Sequence, residues 1–203
     1  MNCKAGRNEM AQEAFDLTTS RLRLRQLNLA DAGALFAYRS LPEVARYQSW
    51  QPQSRAEAET FLRDSEETRL FQSGCWFQIA VCLPSGELIG DVGVHFDPDG
   101  AQIELGYTLS PAYQGFGYAR EAVSALLDFF LLAHGIHRAF ASVDPDNTRS
   151  TRLLESLGFR KEAHHLLSFL ARGVWHDDAV YAILASEWRA RSITLQREAS
   201  PLR

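Results

Sequence analysis

The chain has 203 residues, of which 46% are apolar and 23% charged, with a formal net charge of −4. That length suits one domain with a sizeable core, and the mild negative charge argues against a nucleic-acid binder, which usually needs a basic face. Cys3, Cys75 and Cys82 are odd in number and lack metal-ligand spacing, so neither a zinc site nor a disulfide framework is expected. No segment holds the roughly 18 apolar residues of a membrane span, and residues 1–16 lack a signal-like stretch. The expectation is a cytoplasmic protein with no metal, no membrane and no nucleic-acid partner.

Residues 1–19 show no periodicity and read as a flexible tail. Arg21 to Gln26 alternates Arg and Leu, as a half-buried strand does. Asp31 to about Tyr47 is helical in pattern, with Leu35 and Phe36 on one face, and is interrupted by Pro42. A second helix runs from about Arg55 to Phe71, opened by Ser54 as N-cap with Glu57 three residues on. Two strand-like runs, 76–83 and 87–96, are joined by the turn Pro84-Ser85-Gly86. A second turn at Pro98-Asp99-Gly100 leads to a third strand over 103–109. From Gly117 the period becomes 3.6, with Ala119, Ala122, Val123, Leu126, Leu127 and Phe130 in one apolar stripe. Residues 139–143 form a further strand, and 148–157 a short helix ended by Gly158. Strands from Phe159 to about Phe169 and over 174–184, with a turn at Ala171-Arg172-Gly173, complete the set. The segment from Arg189 to the C-terminus shows no clear period. Hairpin-linked strands followed by a strand–helix–strand crossover give an α/β (α+β) fold with a mixed sheet and helices on its faces.

The segment from Leu109 to Ala119 carries the chemistry. A strand ends, a short loop holds Gly115 and Gly117, and a helix begins at once. The first N–H groups of a helix lack intrahelical partners and sit at the positive end of its dipole. Glycines without Cβ atoms let phosphate oxygens approach those groups. A dinucleotide fingerprint fails because Arg120 stands where its third glycine should fall, and no Gly-Lys-Ser/Thr tripeptide makes a nucleotide P-loop. A ligand-free glycine turn stays open on this loop alone. About 30 residues downstream, Asn147 and Ser150 lie three apart at a helix start. They can cap that helix, or hydrogen-bond an amide-rich ligand arm.

Taken together, these segments resemble the GNAT superfamily of N-acetyltransferases. The superfamily's loop, Gln/Arg-x-x-Gly-x-Gly/Ala, is matched by Gln114, Gly117 and Ala119. Its later motif, Asn-x-x-Ser/Ala followed by an apolar helix and Gly-Phe, is matched by Asn147, Ser150 and Gly158-Phe159. The opening Arg-Leu-Arg-Leu-Arg, the Glu104-Leu-Gly-Tyr107 strand and the closing Trp175, Asp177, Tyr181 and Glu187-Trp188 resemble the branch that acetylates N-terminal alanines of ribosomal proteins. The resemblance implies a domain over 20–188, with tails at 1–19 and 189–203. It also implies a central, mostly antiparallel mixed sheet of six to seven strands flanked by about four helices.

It implies further that acetyl-CoA is the donor and that an amine attacks its thioester directly. Tyr107, Thr108 and Leu109 would bind the pantetheine arm, and Gln114, Gly115, Phe116, Gly117, Tyr118, Ala119 and Arg120 the pyrophosphate, with Asn147 and Ser150 alongside. The acceptor is a protein N-terminus or a small amine, and the chain a monomer or homodimer. A CoA-binding module without catalysis is the competing class.

Amines are mostly protonated near pH 7, so direct attack needs a base. Glu104 is the candidate, since strand alternation puts Glu104, Gly106 and Thr108 on the face opposite Ile103, Leu105, Tyr107 and Leu109. A solvated strand carboxylate is the plain alternative. Many family members place a Tyr seven residues after the motif asparagine, where this chain has Leu154. Ser150, or a water, is left to stabilise the leaving thiolate. Asp177 matches a family position near the substrate cleft, and Tyr47 to Pro52 falls where aromatic residues could line the acceptor side. His134, His137, His164 and His165 read as structural.

Overall fold

The structure is a computed structural model that describes residues 15–199. Eight strands form one sheet: β1 Asp16–Thr18, β2 Arg23–Gln26, β3 Trp76–Cys82, β4 Leu88–Phe96, β5 Gln102–Leu109, β6 Arg138–Val143, β7 Arg160–Ala171 and β8 Val174–Leu184. Their order is β1-β2-β3-β4-β5-β6-β8-β7, antiparallel everywhere except between β5 and β6. Six α-helices accompany them: α1 Ala32–Arg39, α2 Pro42–Ala45, α3 Arg55–Glu66, α4 Tyr118–Leu127, α5 Thr148–Leu157 and α6 Ala185–Ala199. The mixed α/β fold expected from the sequence is present, with more strands and helices than expected.

Two apolar clusters show how the sheet is sandwiched. Phe77, Ile79, Val92, Val94, Ile103 and Leu105 point to one face, where they pack with Val123 and Leu126 of α4, with Phe130 in the turn that follows it, and with Leu154 and Leu157 of α5. The other face buries Ala80 and Cys82 against Leu35 and Tyr38 of α1 and Ala58 and Leu62 of α3. Alternation along β3 sorts its residues between the two clusters, as a strand covered on both faces requires.

Several local readings need correction. Asp16–Thr18 lies in the segment read as a tail, but pairs with Arg23–Arg25 as an edge strand. Helix α6 runs through the segment read as lacking a period, and its Trp188 is buried, with Nε1 donating to Asp128. Pro42 does not bend one helix; it opens a separate short one, at the position where its missing N–H costs nothing. The parts of the tails at 1–14 and 200–203 lie outside the described residues. Cys75 is buried just ahead of β3. Cys82 is a free, buried thiol, its pKa pushed up by that burial.

Candidate active site

The site begins where two parallel strands part. β5 and β6 pair only over Gln102↔Arg138, Ile103↔Ala139 and Glu104↔Phe140. Beyond that point β6 stays with β8 as far as Val143↔Ala179, while β5 stays with β4 as far as Leu109↔Gly90. A wedge therefore opens between Leu105–Leu109 and Ala141–Val143. Ser110 N–H donates to Ile89 O at 2.9 Å, so residues of its parity bond to β4. By the two-residue alternation, Tyr107 and Leu109 turn their backbone amides into the wedge.

The wedge opens into a cavity of about 440 Å³. Trp76, Gln78, Gly93, Glu104 and Gly106 form its floor, and Tyr107, Asn147 and Ser150 one wall. Trp50, Phe61, Phe169 and Asp177 also line it. Trp76 lies across the paired glycines: a Cβ on Gly93 would come within 2.9 Å of its Cε3, and one on Gly106 within 3.9 Å of its Cζ3. Trp50 stacks on Phe61 with ring centroids 4.6 Å apart, so aromatic lining falls within the Tyr47–Pro52 segment, as expected.

Glu104 lines the cavity half-buried, on the face that alternation predicts. Burial raises its pKa above the ordinary carboxylate value; His95, its cross-strand neighbour, pulls the other way, and Asp178 adds to the rise. Asp177 also faces the cavity and is held low by the backbone N–H of Leu167 and by His164, whose Nε2 lies 2.8 Å away. The Asp177 contact pins an irregular turn in β7, where Leu167 adopts φ 44°.

At the end of β5 the chain makes one 3₁₀ turn and enters α4 through Gly115 (φ 85°) and Gly117 (φ 82°). Both glycines are left-handed, a conformation that other residues reach only with strain. No side chain caps α4, and the first helical bond is Glu121 N–H to Gly117 O. Among the described residues, the N–H groups from Gly115 to Arg120 have no acceptor, as the first N–H groups of a helix generally lack intrahelical partners.

Gln114 differs from its neighbours: its N–H bonds Pro111 O, its Nε2 bonds Leu109 O at 2.9 Å, and its Oε1 accepts from Arg149 at 2.6 Å. Its side chain is thus engaged as a brace between strand end and α5. Phe116 projects into solvent, 63% exposed, and Arg120 reaches Ser156 O. Thr108 pairs with Asp91 of β4, and its Oγ1 is the only buried side-chain polar atom without a partner among the described residues.

Asn147 does cap α5, its side chain accepting from Ser150 N–H at 3.3 Å. Ser150 then meets Tyr107: the two hydroxyl oxygens are 2.7 Å apart, and the phenol is also 3.3 Å from Ser150 O. Burial pushes the Tyr107 pKa up to about 12, with the Ser150 hydrogen bond acting in the other direction. The sequence marked Tyr107 only for its backbone; the position of its hydroxyl beside Ser150 depends on the wedge and was not visible in the motif.

A second group that the motifs missed sits below the cavity. Asp91, wholly buried on β4, accepts from Tyr38 Oη and from Nε and Nη2 of Arg39. Arg39 in turn lies over Trp50, 5.9 Å from the ring centroid, and lines the cavity. The signal was available: a lone carboxylate in the apolar run Leu88–Phe96 needs a buried partner.

Comparison with known proteins agrees with this geometry. Residues 21–160 match the model of the acetyltransferase (GNAT) domain. The N-acetyltransferase p20 of Bacillus licheniformis is 33% identical over 174 residues, spanning 85% of this chain and 97% of that protein. The [ribosomal protein uS5]-alanine N-acetyltransferase of Escherichia coli is 36% identical over 84 residues, 41% of this chain and 43% of its own. The crystal structure of a GNAT-family acetyltransferase from Bacillus anthracis superposes with a TM-score of 0.76 at 26% identity, covering 85% of this chain and all of that one. The chain belongs to the GNAT acetyltransferase family.

Proposed function

We propose that the chain transfers an acetyl group from acetyl-CoA to a primary amine by direct attack in a ternary complex, and that the amine is a protein N-terminal α-amine. The observation that carries this reading is the wedge between β5 and β6. It joins an amide-lined turn suited to pyrophosphate to a cavity whose floor carries a raised-pKa carboxylate. The pantetheine arm lies in the wedge against the backbone of Tyr107 and Leu109, with the phosphates on the N–H groups of residues 115–120. A backbone N–H near Leu109 donates to the thioester oxygen as charge develops there. Support for a protein acceptor comes from the likeness to the uS5-alanine enzyme, which covers 41% of this chain.

Glu104 holds the incoming ammonium group and takes its proton. A carboxylate with a raised pKa is better matched to an α-amine, whose own pKa is about 8, than an ordinary one. The thiolate leaves toward Ser150 and Tyr107. A phenol at about 12 keeps its proton at neutral pH, so this pair stabilises the thiolate by donating hydrogen bonds rather than by full proton transfer. No acyl-enzyme is required, and Cys82 is buried away from the chemistry.

The test is release of CoA thiol, with acetyl-CoA as donor, against peptides with a free N-terminal alanine and a panel of small amines. Glu104→Gln is expected to lower kcat by about 10²-fold or more while leaving the acetyl-CoA affinity unchanged. Unchanged turnover in that variant removes Glu104 from the mechanism. Turnover of small amines alone replaces the protein acceptor with a small one.

A further inference from the structure

The opening Arg21-Leu-Arg-Leu-Arg25 motif carries three arginines, and each finds a carboxylate. Arg23 pairs with Asp16 across the β1–β2 edge, and Arg25 pairs with Asp31 through two 2.7 Å bonds. Both are local contacts. Arg21 instead reaches a hundred residues along the chain, its Nε donating to Oε2 of Glu121 in the first turn of α4 at 2.6 Å.

The rest of that contact is organised around the phosphate turn. Oε1 of Glu121 accepts from Thr19 Oγ1 at 2.6 Å, Ser20 Oγ at 3.0 Å and Arg21 N–H at 2.9 Å. Burial alone would raise this carboxyl, but the hydrogen bonds from Thr19, Arg21 and Ser20 outweigh it and hold the pKa low. A bare carboxylate beside the α4 N-terminus would repel an anion bound there; this one is surrounded by donors. Arg21 Nη1 also donates to Phe116 O at 3.1 Å, fixing the residue between the two left-handed glycines. The guanidinium lies over the Tyr118 ring, 4.7 Å from its centroid. Its Nη2 stands 3.5 Å from the place a Gly117 Cβ would occupy, with no protein acceptor among the described residues.

We propose that Arg21 is a positioning residue of the CoA phosphate site: it locks the 115–117 turn through Phe116 O, neutralises Glu121, and presents Nη2 to a phosphate oxygen. The inference rests on the reading of this turn as the pyrophosphate site. It explains why the segment before β2 is tied to α4 by four hydrogen bonds to a single carboxylate. A guanidinium suits this place because its planar fork serves Glu121, Phe116 and a phosphate at once, which an ammonium does not.

The test compares CoA, titrated by calorimetry, with pantetheine, which lacks all phosphates, measured by ligand-observed NMR. Four proteins are used: wild type, Arg21→Ala, Arg21→Lys and Arg23→Ala. Arg21→Ala is expected to weaken CoA about tenfold or more, as loss of a charge-assisted contact does, and to leave pantetheine within twofold. Arg21→Lys, which keeps the charge and lets the fold be checked independently, should fall between. Arg23→Ala should match wild type. CoA affinity within twofold of wild type in Arg21→Ala overturns the assignment, and so does an equal loss for CoA and pantetheine. If wild type itself fails to bind CoA, the acetyltransferase reading falls, an outcome distinct from a wild type that binds while the Arg21 variants are unaffected.

Discussion

Replacing Asp91 with Asn tests how the cavity is held. Asp91 is wholly buried and is the acceptor for Tyr38 and for two nitrogens of Arg39, whose side chain is only 12% exposed. Burial and the Asp91 charge hold the Tyr38 phenol in its neutral form, well above its usual range. An amide in place of the carboxylate leaves the Arg39 cation buried without its counter-charge. Breaking a buried pair from one side costs about 3–5 kcal/mol. Set against a whole-domain stability of roughly 5–15 kcal/mol, that is a large fraction. A domain of this size loses about 2–4 °C per kcal/mol, so a Tm decrease of about 6–20 °C is expected. Urea denaturation, with the midpoint and slope both fitted, is the assay. The double variant Asp91→Asn/Arg39→Met should recover part of the loss, because no uncompensated charge remains. A loss below about 1 kcal/mol in Asp91→Asn, or a double variant worse than the sum of the singles, would mean that the Asp91 charge does not hold Arg39.

Three further outcomes follow from the same geometry. Glu104 titrates above its ordinary value of 4.5 in the fold, so the native state binds its proton more tightly than the unfolded chain. Stability is therefore lost as pH rises through that window, and Glu104→Gln should be more stable than wild type at neutral pH, with the gap closing below pH 4.5 in a denaturation series. Gly117→Ala places a Cβ on a residue at φ 82°, and should raise the CoA dissociation constant in calorimetry together with a stability loss of roughly 1 kcal/mol. Gly90→Ala would drive its Cβ into Thr108 O and the Leu109 side chain at the end of β5. It should cost about 1–3 kcal/mol in urea denaturation and weaken CoA binding, because the strand edge must move.

Much of the fold was legible because its signals are local. The α4 stripe, the turn at 84–86 and the two left-handed glycines before a helix are all short-range patterns, and each is found where the sequence puts it. What was not legible depends on distant partners. Three residues, Asp16–Thr18, carry no period and become a strand only because β2 offers a free edge. Helix α6 has a weak apolar face and is fixed through Trp188 and its bond to Asp128, sixty residues earlier. The site divides in the same way. The glycine turn at 115–117, Glu104 and Asn147–Ser150 announce themselves in the motifs, whereas Tyr107 with Ser150, Asp91 with Arg39, and Arg21 with Glu121 exist only once strands and helices have been brought together.

The most direct test of acetyl transfer is mass spectrometry of amine acceptors incubated with the protein and acetyl-CoA, with free CoA thiol measured in the same tubes. One acetyl group gained by a peptide at its N-terminal amine, in equal number to the CoA released, with loss of both in Glu104→Gln, is the expected result. Tight binding of acetyl-CoA with no acetylated product from any peptide or small amine would contradict it.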